Sequence, residues 1–178
     1  GRSDYREKVE SMIVEELIPH IDASHRTIAK GEARGVAGLS MGGVVAVWLT
    51  ANHPDLFSLA GSWGGNLLHM EEEALPAVDR NHAQLETNGY AALLVNGNQD
   101  LLDAHAPLVK LLSERKIRHD LVVLKDTPHN LGLPCERAGE QMPRFIGTQL
   151  RKYQGLWQDK YDIAISGGCI VDGTGSHW

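Results

Sequence analysis

The sequence predicts an α/β fold, a mostly parallel sheet flanked by helices in a three-layer sandwich. Short apolar runs without polar alternation, as expected of strands buried on both faces, alternate with longer stretches of helical texture. One of these runs, Gly35 to Leu39, passes into a helical stretch through a single serine, Ser40, with no spacer. Composition agrees: 178 residues, 42% of them hydrophobic, suffice for one domain with a sizeable buried core.

Taken in order, Asp4 to Ile21 places Val9, Met12, Ile13, Leu17 and Ile21 near the i, i+3, i+4 spacing of an amphipathic helix. Asp4 and Glu7 form a capping-box pattern at its start. Gly35 to Leu39 reads as a buried parallel strand. Met41 to Ala51 reads as a helix, closed by Asn52-His53-Pro54 because the residue before a proline disfavours helical geometry. Phe57 to Ser62 is a second short apolar run. After the pair Gly64-Gly65 comes a polar, acidic excursion from His69 to Gly89, which predicts a short helix and a surface loop. Ala91 to Asn96 is the third strand, Ala104 to Arg115 a helix and Leu121 to Lys125 the fourth strand. Glu136 to Tyr153 reads as a closing helix that Pro143 either kinks or starts. Tyr161 to Val171 alternates, turns at Gly167-Gly168 and returns, the pattern of a hairpin.

Seventeen Lys and Arg against 23 Asp and Glu leave a net charge of −6, and no basic run exceeds a pair, which argues against binding a phosphate backbone. Nucleic acid is therefore not an expected partner. No apolar stretch approaches the ~20 residues of a membrane span, and the opening GRSDYREKVE is too charged for a signal peptide. A cytoplasmic protein without a membrane partner is expected. The two cysteines, Cys135 and Cys169, are too few and too far apart for a zinc knuckle or a disulfide framework. No cofactor and no metal site is expected.

Gly38-Leu39-Ser40-Met41-Gly42 matches G-x-S-x-G at a strand-to-helix junction, where so sharp a turn would thrust Ser40 into a cleft. The glycines on either side are expected to be needed because the turn leaves no space for side chains there. A serine hydroxyl is a weak nucleophile at neutral pH and needs a base within hydrogen-bond reach and a third group to orient that base. Two strand-end loops offer them in the order Ser, Asp, His: Asp100 in Gly97-Asn98-Gln99-Asp100 and His129 in Asp126-Thr127-Pro128-His129. Asp103 is the rival acid, and for both aspartates the plain alternative is a helix N-cap before Ala104. Of nine histidines, His20, His25 and His119 fall on or beside predicted helices, His53 caps one, and His69, His82 and His105 lack the strand-end position. Met41, opening the helix, would give a backbone N–H to an oxyanion. Trp63 and Leu131 lie near the expected cleft and either line it or pack in the core.

With these residues in place, the chain from about Val9 to Tyr153 resembles the esterase family of α/β-hydrolases that includes feruloyl esterases, enterochelin esterases and antigen 85 relatives. The likeness is carried by Val14-Glu15-Glu16-Leu17-Ile18-Pro19-His20-Ile21, Val36-Ala37-Gly38-Leu39-Ser40-Met41-Gly42-Gly43, His53-Pro54-Asp55-Leu56-Phe57 and the strand-end Asp100 and His129. It implies Ser40 as nucleophile, His129 as base, Asp100 as acid and Met41 as oxyanion donor. Family members carry further strands, and the loop of a second oxyanion donor, before the helix at Asp4. The chain therefore resembles the carboxyl-terminal part of an α/β-hydrolase fold, lacking the N-terminal strands. Its nucleophile strand is expected at a sheet edge, covered by the first helix or by a second copy in a homo-oligomer.

Tyr161 to Gly175 resembles the opening of amidohydrolases of the D-aminoacylase and dihydroorotase type, a small β-sheet whose metal ligands follow downstream. That implies two parts, a hydrolase domain over residues 1–155 and a tail over 156–178, the tail without metal chemistry of its own and reading as a fusion or cloning scar. The reading that follows is a serine carboxylic-ester hydrolase acting through an acyl-enzyme on short, unhindered esters, a small-molecule substrate. The alternative is a catalytically impaired fragment acting as an assembly or binding module, since one missing oxyanion donor costs ~10²- to 10³-fold in turnover. A third reading, a metal-dependent amidohydrolase, rests on the tail alone.

Overall fold

A computed structural model of the chain describes residues 2–65, 74–100, 105–130, 136–137, 139–150, 163–166 and 169–172. The chain divides into two compact units, Gly1–Lys30 and Gly31–Trp178.

The first unit is helical: α1 over Arg2–Ser11, a π-helical stretch over Met12–Leu17, and α2 over Ile18–Ser24. Pro19 explains the wide turn. It has no N–H for the carbonyl four residues back, and the preceding Ile18 N–H reaches Ile13 O, five residues back. The helix begins at Arg2, so Asp4 lies inside it and not at the cap that the sequence suggested.

In the second unit, β1 (Gly35–Leu39), β2 (Leu59–Trp63), β3 (Ala91–Gly97) and β4 (Arg118–Leu124) form a parallel sheet in the order β1-β2-β3-β4. α3 (Met41–Asn52), α4 (Ala74–Thr87) and α5 (Ala106–Glu114) connect successive strands. They pack in a row, α3 on α4 and α4 on α5, while α6 (Gln141–Gln149) packs on β2 and β3. This is the expected arrangement of helices on a parallel sheet. β1 stands at one edge of the sheet, β4 at the other.

Alternation along the strands assigns the two faces. Ala37, Leu59, Leu93 and Val95 join Met142 and Phe145 of α6 in one buried cluster. Val36, Gly38, Ala60, Ser62, Leu94 and Asn96 point the other way. α3 is buried along nearly its whole length, from Gly43 to Ala51. Within that apolar layer Thr50 Oγ1 donates to Ala46 O (2.8 Å) and meets Tyr90 OH at 2.9 Å. Burial pushes the Tyr90 phenol up to about 12, the Thr50 hydrogen bond opposing, so the phenol stays protonated at neutral pH.

Several boundaries differ from the sequence reading. α4 has 14 residues where a short helix and loop were expected. β4 begins at Arg118, three residues before the apolar run, because an edge strand keeps polar residues in water. His119, expected beside a helix, lies on that strand. α6 starts at Gln141, which puts Pro143 in its first turn, where the missing N–H costs little. The tail forms an antiparallel pair, β5 (Ile163–Ser166) with β6 (Cys169–Asp172). Among the described residues no helix is long and apolar enough to cross a membrane.

Leu94 is fully buried in the middle of β3, which has a partner strand on each side. Leu94→Ala should lower stability by about 2–5 kcal/mol, read as a fall in the urea unfolding free energy.

Candidate active site

The site begins with a backbone constraint. Ser40 joins β1 to α3 at φ 53° and ψ −118°, outside the regions that an L-residue prefers. Such a conformation costs of order 1–3 kcal/mol and persists only where neighbours impose it. Here the Ser40 N–H donates to Trp63 O at the end of β2 (2.7 Å), and Ser40 O accepts from Val44 N–H (3.2 Å) as the first helical bond of α3. A Cβ on Gly38 would overlap the Gly42 backbone, so that glycine is required as expected. Gly42 is different: a Cβ there meets nothing within 4 Å. The crowded position on the helix side is Gly43, whose Cβ would lie 2.5 Å from Ser62 Oγ and 3.0 Å from Gly38 O. The motif's second glycine is thus not the one that packing demands.

Ser40 Oγ lies 3.0 Å from His129 Nε2, and His129 Nδ1 lies 2.8 Å from Asp100 Oδ2. The three residues come from loops just past β1, β3 and β4, at one end of the sheet. With Nδ1–H donated to the carboxylate, the neutral imidazole leaves Nε2 to accept the serine O–H. Asp100 is nearly buried at 8% side-chain exposure, while His129 is open at 47%, so the carboxylate is fixed and the imidazole accessible. The structure thus joins Asp100, of the two candidate acids, to His129; Asp103 lies outside the described residues. The N-cap of α5 is His105, so Asp100 is not serving as that cap.

The two loops are locked together behind this pair. Asn98 N–H donates to Leu124 O (2.9 Å) and Gln99 N–H to Thr127 O (3.2 Å), while Asn98 Oδ1 accepts from Thr127 N–H (3.4 Å). Gly97 permits the approach, since a Cβ there would overlap Thr127 O.

Met41 is the first residue of α3, ahead of the first intrahelical donor Val44, so its N–H has no partner within the helix; the residue is exposed. Trp63 packs against the cluster beneath α6, the core role that the sequence also allowed. Leu131 lies outside the described residues.

Gly64 was visible in the sequence only as half of a glycine pair. It sits at φ 56° and its N–H donates to Val95 O (2.8 Å). A Cβ there would lie 3.3 Å from Asp100 Oδ2 and 3.4 Å from His129 Nδ1. Behind the acid, His105 is fully buried, with Nδ1 3.4 Å from the Asn96 Nδ2 donor. Burial lowers its pKa from the ordinary 6.5, and the Asp100 carboxylate opposes that shift. Among the described residues no group of three or more His, Cys, Asp or Glu could hold a metal ion.

A parallel sheet bearing a serine at positive φ on a strand-to-helix turn, hydrogen-bonded to a strand-end histidine, defines a domain of the α/β-hydrolase type. Within that class, the family described as "Putative esterase" matches residues 1–120, and the chain belongs to it. A 66-residue stretch is 38% identical to an endo-1,4-beta-xylanase/feruloyl esterase of Xylanibacter ruminicola, covering 37% of this chain and 9% of that protein. Among solved structures, a ferulic acid esterase superposes with a TM-score of 0.66 at 20% identity, over 79% of this chain and 61% of that one. An S-formylglutathione hydrolase of Staphylococcus aureus gives a TM-score of 0.58 at 17% identity, over 83% and 64%. The chain thus spans only part of the length of its relatives.

Gly64→Ala must place a side chain at positive φ, which is strained, and the Asp100 carboxylate beside it must give by a few tenths of an ångström. The imidazole N–H proton resonance of His129 should shift or broaden in this variant relative to the parent while the circular dichroism spectrum is unchanged. His105 in the unfolded chain takes up a proton near 6.5, and in the folded chain only at lower pH. The unfolded state therefore binds more protons within that window, and stability falls as pH drops below about 6.5. Urea midpoints measured downward from neutral pH should show this decline, and His105→Gln should flatten it.

Proposed function

We propose that the chain is a serine carboxylic-ester hydrolase working through an acyl-enzyme. The observation that carries this reading is the hydrogen-bonded series Ser40 Oγ to His129 Nε2 (3.0 Å) and His129 Nδ1 to Asp100 Oδ2 (2.8 Å), built on a serine whose backbone is held out of its preferred regions. Ser40 Oγ attacks the ester carbonyl carbon while His129 Nε2 takes the hydroxyl proton. The Asp100 carboxylate holds the ring and stabilises the imidazolium. Collapse of the tetrahedral intermediate expels the alcohol, which receives the proton from His129. Water, deprotonated by the same imidazole, then attacks the acyl-serine and releases the acid. The Met41 N–H, at the positive end of α3, donates to the oxyanion.

Membership of the esterase family supports the reaction class. Short, unhindered acyl esters are the substrates to test first. The likeness to feruloyl and ferulic acid esterases adds feruloyl esters to the substrates to be tested.

A serine-directed phosphonate should label Ser40, located by peptide mapping. Ser40→Ala should lose both the label and the burst of product from an activated ester, a fall of ~10⁴-fold or more in turnover. Ser62→Ala should keep both, because Ser62 is fully buried. Undiminished hydrolysis by Ser40→Ala would end the proposal.

A further inference from the structure

We infer that Arg137 is a positioning residue for His129, acting through the loop that carries the histidine. The inference rests on His129 as the base of the proposed reaction. β4 ends at Leu124, and the backbone from Lys125 to His129 has no strand ladder to fix it. The turn is made at Asp126, in the left-handed region at φ 50°. One guanidinium reaches both carbonyls at this turn. Arg137 Nη1 donates to Lys125 O at 2.6 Å and to Asp126 O at 3.1 Å, and it also reaches Thr127 Oγ1 at 2.6 Å.

Thr127 transmits this restraint. It is fully buried, and its hydroxyl donates to Lys125 O (3.0 Å) while accepting from Arg137. Its backbone carries the N–H bond to Asn98 Oδ1 and the carbonyl bond from Gln99 on the opposite side. Thr127 is thus gripped between the loop that bears Asp100 and the guanidinium of Arg137, with only Pro128 between it and His129. The β3 side fixes where the loop starts, and Arg137 fixes how far it folds back. A planar, cationic donor suits this task, because converging carbonyl oxygens attract it.

Removing the guanidinium lets the 125–129 turn relax and moves the imidazole away from the serine. A displacement near 1 Å costs up to about 10²-fold in rate. In the full chain, Arg137→Ala should lower kcat for an activated short ester by about 10- to 100-fold, with KM within about twofold. Added guanidinium at millimolar concentration should restore part of the rate, and Arg137→Lys should lie between parent and Arg137→Ala. The His129–Asp100 imidazole proton resonance should broaden in Arg137→Ala and sharpen again with guanidinium, a readout independent of any turnover. If the parent lacks Ser40-dependent hydrolysis but the resonance responds in this way, the functional reading fails and the positioning role stands. Parent-like kcat and resonance in folded Arg137→Ala would overturn it. A rate loss that guanidinium does not rescue and that Arg137→Lys shares in full would also overturn it. Should Arg137→Ala fail to fold, Arg137→Lys takes its place, and an unaltered kcat and resonance there would count against the role.

Discussion

Everything at the site depends on holding Ser40 in a backbone conformation that an isolated serine would avoid. The restraint comes from two directions. From the sheet, the carbonyl of Trp63 captures the Ser40 N–H, which continues the β1–β2 pairing one step beyond the strand. From the helix, the close contact of Gly38 with the Gly42 backbone brings α3 tightly against the end of β1. Glycine is needed where two backbones meet, at Gly38 and Gly43, and not simply where a motif places it. The burial of α3 between the sheet and α4 then makes the local strain affordable, because relaxing the turn would expose the most apolar helix of the domain.

The same logic governs the partner loops. The loops that carry His129 and Asp100 approach through a close contact of backbones, Gly97 against Thr127, while Gly64 passes next to the imidazole and carboxylate themselves. The carboxylate is enclosed and the imidazole is exposed, so the acid end of the series lies in the protein and the imidazole faces water. A buried histidine kept neutral behind the acid adds no second positive charge to compete with His129 for the carboxylate.

The sheet was legible because parallel strands buried on both faces announce themselves as unbroken apolar runs: Gly35 to Leu39 is the strand observed, and Ala91 to Asn96 falls one residue short. β4 was truncated at its polar start, since Arg118, His119 and Asp120 lie on an edge that water reaches. α4 was underestimated because its charged and polar surface reads like a loop when the few buried positions, Ala74, Ala77, Val78 and Leu85, are not recognised as one stripe. Ser40, Asp100 and His129 were legible from motif and strand-end position together. Gly43, Gly64 and Thr127 were not, because each matters through the backbone or side chain that passes within contact distance of it, and that neighbour is remote in sequence.

The strand order β1-β2-β3-β4 follows the chain, so every strand pairs with the next one made, and the sheet can grow by adding one strand and helix at a time. Ser40, however, leaves the first strand of this series and His129 the last. The serine turn can be complete while the histidine loop is still unfolded. The site is therefore complete only when the whole sheet from β1 to β4 is assembled, so labelling at Ser40 in the proposed site would report the docking of β4 as well as the presence of the core.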